Sequence, residues 1–212
     1  KEVFIPLTVG GGIRTIGDIY NILRAGADKV SINTAAIENP KFIEEAVKIF
    51  GSSTIVLSIE AVNHSEKYFA YTNNGRENSN LEVIDWAKKA ENLGVGEIIL
   101  TMVDDEGTGR GFNINFLEQV NKDISIPLVA HGGIGKINDI KNLLRKIDIS
   151  GVAIASLLHY SFLNDDYVID YHKEEGNIDF IKNKKIPKNF ETTSIKILKS
   201  ELFKSGVDCR LI

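Results

Sequence analysis

The chain has 212 residues, 43% of them hydrophobic and 25% charged, with only four prolines, which is ordinary globular usage and excludes a disordered or fibrous chain. Twenty-five Lys and Arg stand against 29 Asp and Glu, a net charge of −4, so no global basic field gathers nucleic acid or an anionic membrane and any anion must be held locally. The single cysteine, Cys209, excludes an internal disulfide framework and a cysteine-based zinc site; with no signal-like opening and no apolar run of about 18 residues, the expectation is a cytoplasmic protein that neither spans nor crosses a membrane.

In chain order, short apolar runs rich in β-branched residues alternate with amphipathic stretches of helical period, the pattern of βα units around a parallel sheet. Strands are predicted at Phe4–Val9, Lys29–Asn33, Thr54–Glu60, Glu97–Thr101, Ile126–His131 and Gly151–Ala155. Helices are predicted at Ile16–Arg24, Pro40–Phe50, Leu81–Leu93, Ile114–Asn121 and Ile137–Ile147, several ending near a helix-stopping glycine. The aromatic run Tyr68–Thr72, followed by Asn73-Asn74-Gly75, predicts a small hairpin inserted after the third strand. Beyond Tyr160, residues 161–190 read as a charged insertion before a last helix at Thr192–Ser205 and a tail at Val207–Leu211. The chain opens with Lys1 and Glu2 directly before a strand, which reads as a chain without its natural start.

Pro6–Arg24 aligns with Pro127–Arg145 without a gap, with 11 of 19 positions identical, among them Gly11/Gly132, Gly12/Gly133, Ile13/Ile134 and Asp18/Asp139. With one residue of slippage the likeness continues, Val30–Thr34 lying over Val152–Ser156. A β-loop-α-β block therefore occurs twice, 121 positions apart, about half of the roughly 250 residues of a (β/α)8 barrel. Two half-barrel repeats follow: a single TIM-barrel domain over 1–212 in which these strands are units three to eight and the first two βα units are absent.

Each copy sets glycines at the C-terminal end of a strand, Gly10-Gly11-Gly12 and Gly132-Gly133, where the backbone turns sharply and points N–H groups at an anion. The next strand of each copy ends in a hydroxyl residue, Thr34 or Ser156. Two matching phosphate cradles are expected, and hence a ligand with a phosphate at each end. Between them in sequence lie carboxylates, Glu60 at the end of an apolar strand, a position suited to proton transfer, and Asp104-Asp105-Glu106 before Gly107-Thr108-Gly109, which by itself reads as a solvated loop as readily as a set of acids. His131 ends a strand beside the second glycine pair, where an imidazole contacts phosphate or substrate; His159 faces that cradle or packs under it. No histidine has a metal-ligand partner at helical spacing, so no zinc site is expected. His64 and His172 read as surface residues, and Cys209 and Trp86 as structurally ordinary.

Val9–Ile13, Gly26–Ala36, Gly96–Thr101 and Asp104 through Gly107-Thr108 resemble the cyclase subunit of imidazole glycerol phosphate synthase, over about residues 3–160. The Ser31-Ile32-Asn33-Thr34-Ala35-Ala36 block is closer to that cyclase than to the phosphoribosyl-formimino isomerase of the same pathway. The resemblance implies a (β/α)8 barrel without a cofactor that takes ammonia from a partner glutaminase, in a heterodimer, to cleave and cyclise a long bisphosphate. By position it implies one phosphate site at Gly12, Asn33 and Thr34, with Gly11 a further binding candidate beside it. It implies a second at Glu106, Gly107, Gly133, Ala155 and Ser156, with Thr108, His131 and Gly132 as further binding candidates. Glu60 and Glu106 take the catalytic places, and Lys29 and Glu97 line an ammonia entrance on the opposite face. The family acid at both Glu60 and Glu106 is normally Asp, and the His131 position is usually small; a first catalytic Asp belongs upstream of Lys1. Two other readings share the scaffold: a paralogue that supplies nitrogen to a sugar for surface polysaccharide, and a barrel that only scaffolds its glutaminase.

Overall fold

The computed structural model describes residues 4–162 and 187–210. Its elements, in order, are β1 (Thr8–Gly10), α1 (Ile16–Arg24), β2 (Lys29–Ile32), α2 (Thr34–Glu38), α3 (Pro40–Phe50), β3 (Ile55–His64), β4 (Lys67–Thr72), β5 (Glu77–Glu82), α4 (Val83–Asn92), β6 (Glu97–Met102), α5 (Ile114–Asp123), β7 (Leu128–His131), α6 (Ile137–Lys146), β8 (Gly151–Val152), α7 (Ser156–Phe162) and α8 (Ile195–Lys204). The strand order β1-β2-β3-β6-β7-β8 follows the chain, and the pairs from β1 to β7 are parallel. This is the sequential β-α-β succession of a parallel α/β sheet, consistent with a barrel of the TIM type. The chain divides into two units. One holds the residues up to Asp104 with Asn115–His131 and Ile149–Gly151; the other holds Asp105–Ile114, Gly132–Asp148 and the described residues from Val152 onward.

In the first unit, alternation along each strand separates two faces. Val30, Ile32, Ile55, Leu57, Ile59, Ile98, Leu100, Leu128 and Ala130 are buried, as are Ile19, Ile43, Trp86, Ala87 and Leu117 of the helices. Fully burying one such aliphatic side chain is worth about 1.5–3 kcal/mol, so this face accounts for most of the unit's cohesion. The register places Ser31 beside Gly10, Ser58 beside Ile99, and Glu60 beside Thr101, itself beside His131, on the other face. That face mixes polar residues with Val56, Ile99 and Val129, and its polar positions toward the C-terminal strand ends carry the candidate chemistry. The second unit has its own small core, in which Ile134, Ile140, Leu157 and Leu198 pack with Phe112, Ile137 and Leu202.

The predicted hairpin is present: β3 runs on past Glu60 to His64 and pairs antiparallel with β4, which pairs with β5. Several elements differ from expectation, among them β7, which starts at Leu128 rather than Ile126, and α8, which starts at Ile195 rather than Thr192. β1 starts at Thr8 rather than Phe4, because Pro6 has no N–H for a ladder, Phe4 and Ile5 are exposed, and the Leu7 N–H is spent on Asp28 Oδ2 at 2.7 Å. A short helix, α2, precedes α3 and is cut from it at Asn39, whose extended backbone (φ −140°, ψ 85°) suits the residue before Pro40. β8 is two residues long where five were expected. Most of the 161–190 insertion and His172 lie outside the described residues.

The two copies of the repeat fold alike. Gly11 and Gly12 have φ of 103° and 69°, Gly132 and Gly133 of 93° and 99°, a left-handed pair that only glycine adopts at little cost. In each copy the shared aspartate then accepts two successive backbone N–H groups ahead of its helix: Asp18 from Arg14 and Thr15, Asp139 from Gly135 and Lys136. The identity of Asp18 and Asp139 is therefore explained by capping.

Candidate functional site

A cavity of about 690 Å³ opens at the C-terminal ends of β1, β2 and β3, lined by Gly10–Arg14, Ser31–Ala35, Glu38, Ser58, Glu60, Asn73, Asn74 and Arg76. Gly10 sits in close approach to β2, since a Cβ there would lie 3.0 Å from the Ser31 carbonyl oxygen and 3.1 Å from Ser31 Cβ, so that a side chain would push its neighbour aside. Gly11 and Gly12 are different: nothing lies within 4 Å of a Cβ built on either, so their backbone faces open space in the cavity. Their left-handed turn leaves room and donors for a ligand rather than for a neighbouring side chain.

The β4–β5 turn completes the wall. Asn73, Asn74 and Gly75 all have positive φ, and two of the three are not glycine, a cost of order 1 kcal/mol or more each. The turn uses that shape to aim two amides: Asn73 N–H donates to Thr34 Oγ1 at 3.2 Å and Gly75 N–H donates to Glu60 Oε2 at 2.7 Å. Because Thr34 Oγ1 is the acceptor, its hydroxyl hydrogen is left to donate to an anion. Asn33 Nδ2 donates to the Tyr71 carbonyl at 3.0 Å, which fixes the amide's orientation and leaves its buried Oδ1 without a partner. Glu60 is half-buried, with its carboxylate held against the turn.

On the same polar face His131 is half-buried and its Nδ1 lies 3.0 Å from Thr101 Oγ1. Glu60, Thr101 and His131 are register neighbours on β3, β6 and β7, so acid and imidazole stand two strands apart, about 10 Å at ordinary strand spacing. At the opposite, N-terminal ends of β2 and β6, Lys29 Nζ meets Glu97 Oε2 at 2.6 Å across the start of β3. The two candidates for the entrance thus form a partly buried pair at the far end of the strands from the cavity.

The second glycine pair lies in the second unit and is buried. Gly111 N–H donates to Gly133 O at 2.7 Å, and a Cβ on Gly133 would overlap the Gly111 carbonyl oxygen. Gly107 has φ +72° and open space around it. Glu106 is exposed, and Thr108 caps its own loop by donating through N and Oγ1 to the Asp105 carbonyl. Ala155 is exposed and Ser156 half-buried where α7 begins.

Of the remaining candidates, His159 is exposed, with Tyr160 tilted beside it at 5.8 Å. His64 is exposed on β3, with Nε2 2.6 Å from the Tyr71 hydroxyl. Cys209 donates to the Lys199 carbonyl. Trp86 is almost fully buried in the core. Among the described residues no group of three or more His, Cys, Asp or Glu is placed to hold a metal, and no helix is long and apolar enough to cross a membrane. The cavity also gathers residues that the sequence pattern did not single out: Arg14, Ser31, Glu38, Ser58, Asn73, Asn74 and Arg76. Asn73 and Asn74 were visible as turn-formers and Arg76 was not, but nothing in a turn motif says what it faces.

The family model described as "Histidine biosynthesis protein" matches residues 1–164. Among curated proteins, the imidazole glycerol phosphate synthase subunit HisF of Clostridium botulinum (strain 657 / Type Ba4) is 43% identical over 178 residues, 83% of this chain and 70% of that protein. Its counterpart in Bacillus cereus (strain G9842) is 48% identical over 160 residues, 75% and 64% of the two chains. That of Lactococcus lactis subsp. cremoris (strain MG1363) is 46% identical over 186 residues, 87% and 69%. The chain spans about two thirds of the length of the curated relatives it matches.

Proposed function

The chain belongs to the histidine biosynthesis protein family, and from that premise we propose that it is the cyclase subunit of an imidazole glycerol phosphate synthase. The substrate is a phosphoribulosyl-formimino aminoimidazole carboxamide ribotide bisphosphate, and the products are imidazole glycerol phosphate and aminoimidazole carboxamide ribotide. The observation that carries the reading is the cavity, in which a glycine turn with open amides, a hydroxyl with its hydrogen to give and a half-buried carboxylate share one wall.

In this reading one phosphate of the substrate takes the N–H groups of the Gly11-Gly12 turn and the Thr34 hydroxyl, which places the reacting carbons beside Glu60. Ammonia adds to the substrate's carbonyl carbon, water is lost, and the ring closes as the carbon–nitrogen bond to the ribotide product breaks. Each step moves a proton, and a carboxylate at a partly desolvated position serves as acceptor and then donor. Glu106 is the second acid of the reading, with Gly107, Thr108, Gly133, Ala155 and Ser156 around the other phosphate. Ammonia arrives from a glutaminase partner past Lys29 and Glu97, because in open water it becomes ammonium and loses its nucleophilic lone pair. Two further βα units complete the barrel before β1; the exposure of Phe4, Ile5 and Leu7, the apolar residues just before that strand, supports this.

The same scaffold favours a second reading in which a nitrogen is delivered to a sugar. The glutamates at positions 60 and 106 and the imidazole of His131 depart from the Asp, Asp and small residue that the cyclase pattern carries, and a shift of about 1 Å at a reacting group costs roughly a hundredfold in rate. The discriminating experiment is turnover of the histidine intermediate with ammonium by the full-length protein and by Glu60→Gln. The cyclase reading expects product from the parent and a kcat lower by about 10²–10⁴-fold in the variant, the range of general acid–base catalysis. No product from the parent at saturating substrate favours the sugar; equal turnover in the variant removes Glu60 from the chemistry.

A further inference from the structure

The cationic side chains lining the cavity are Arg14, next in sequence to the glycine turn, and Arg76, on the β4–β5 turn. We propose that Arg76 is an anion-binding residue of this site, its guanidinium closing over the phosphate that the Gly11-Gly12 amides and the Thr34 hydroxyl hold from below. The proposal rests on the reading of this cavity as a phosphate seat and adds to it a residue that comes from the inserted hairpin.

Three features carry it. First, the segment bearing Arg76 is fastened to the seat: Asn73 N–H binds Thr34 Oγ1, Gly75 N–H binds Glu60 Oε2, and Arg76 N–H binds the Thr72 carbonyl at 3.1 Å. The guanidinium therefore starts from a fixed backbone position next to the hydroxyl it is meant to assist. Second, the turn keeps two non-glycine residues, Asn73 and Asn74, at φ of 53° and 60°; strain of this kind persists where the surrounding structure has a use for the shape. Third, the charges divide unequally. Arg14 lies close enough to Asp18 to lower that carboxyl's pKa, after the hydrogen bonds that dominate the shift. Glu60 is engaged by the Gly75 amide, and Glu38 is the other carboxylate of the wall. Arg76 is exposed and forms no ion pair among the described residues, so its charge is available to a ligand. A planar guanidinium grips a phosphate through two parallel hydrogen bonds, which an ammonium cannot do.

The arrangement also links binding to chemistry. One four-residue turn carries the cation, braces the hydroxyl and holds the acid, so a phosphate that draws Arg76 inward also steadies Glu60. Binding energy from a non-reacting part of the substrate is then used to orient the reacting part.

The test has two arms. In the first, the full chain is titrated with inorganic phosphate and followed by ³¹P NMR, comparing the parent with Arg76→Ala and Arg76→Lys. The expectation is saturable binding in the parent, weakened about 10- to 100-fold in Arg76→Ala and less in Arg76→Lys, as for loss of a charge-assisted hydrogen bond. Absence of saturable binding in the parent, or equal affinity in parent and Arg76→Ala, overturns the inference. In the second arm, turnover with ammonium is measured in the full-length protein, where Arg76→Ala is expected to raise KM by a similar factor and to lower kcat less than Glu60→Gln does. Arginine-dependent phosphate binding without turnover of the histidine intermediate keeps this inference and rejects the proposed reaction. Turnover with KM unaffected in Arg76→Ala does the reverse.

Discussion

At the scale of single residues the two glycine pairs look interchangeable in sequence, and both were expected to be phosphate cradles. Their dihedral angles agree with that symmetry, but their surroundings do not. Gly12 faces empty cavity, whereas Gly133 is buried and its α-hydrogen fills the place of a Cβ against the Gly111 carbonyl. Alanine is therefore expected to act differently at the two sites. Gly12→Ala costs only the left-handed strain, about 1–2 kcal/mol, and is expected to fold, with its methyl group in the open space where phosphate is proposed to sit. Gly133→Ala adds a backbone overlap to the same strain and loses more than about 3 kcal/mol, as overpacking does. Chemical denaturation of both variants checks the difference; equal losses would show that the second glycine also faces open space.

At the scale of elements the capping of α1 is the clearest local device. Thr15 Oγ1 accepts from Asp18 N–H at 3.1 Å, and the Arg14 N–H, then the Thr15 hydroxyl and N–H, hold the Asp18 carboxyl below its ordinary value of 3.8. A carboxyl with a lowered folded pKa contributes stability that is present above 3.8 and is lost as pH falls through the lower, folded value. Thr15→Ala is expected to cost about 1 kcal/mol at neutral pH. Asp18→Asn is expected to flatten the fall in stability below pH 3.8, measured as urea midpoints along an acid series; an unchanged slope would place the carboxyl outside the cap. Much of this scale was legible in the sequence, since Ile16–Arg24 and Pro40–Phe50 are bounded as their periodicity predicts and the Asn73-Asn74-Gly75 turn falls where its residues say. What was not legible depends on partners distant in the chain. The late start of β1 is set by Asp28 taking the Leu7 amide, and the cavity roles of Arg76 and Asn73 exist only because β4 folds back along β3. A periodicity argument contains neither contact.

At the scale of the whole molecule the parallel sheet holds the two proposed tasks, reaction and ammonia entry, at opposite ends of its strands. The C-terminal ends of β1, β2 and β3 carry the cavity, and the N-terminal ends of β2 and β6 carry Lys29 and Glu97, joined at 2.6 Å with side chains 33% and 19% exposed. A pair this far from the cavity cannot assist the chemistry by contact, but it stands where ammonia from a partner is proposed to enter. The two functions are therefore separable by mutation. Lys29→Ala removes the cation and leaves Glu97 without this partner, so the entrance loses its fixed geometry while the cavity wall is untouched. In the assembled pair with the glutaminase, glutamine-driven turnover is expected to fall about tenfold or more, equivalent to about 1.4 kcal/mol of barrier. Turnover driven by added ammonium, which reaches the cavity from solvent at the other strand ends, is expected to change by less than about threefold on the same scale. Comparing the two rates in one preparation cancels differences in folding and active fraction. If both fall together, the pair holds the sheet rather than the route, and the ends of the strands are not divided between delivery and reaction.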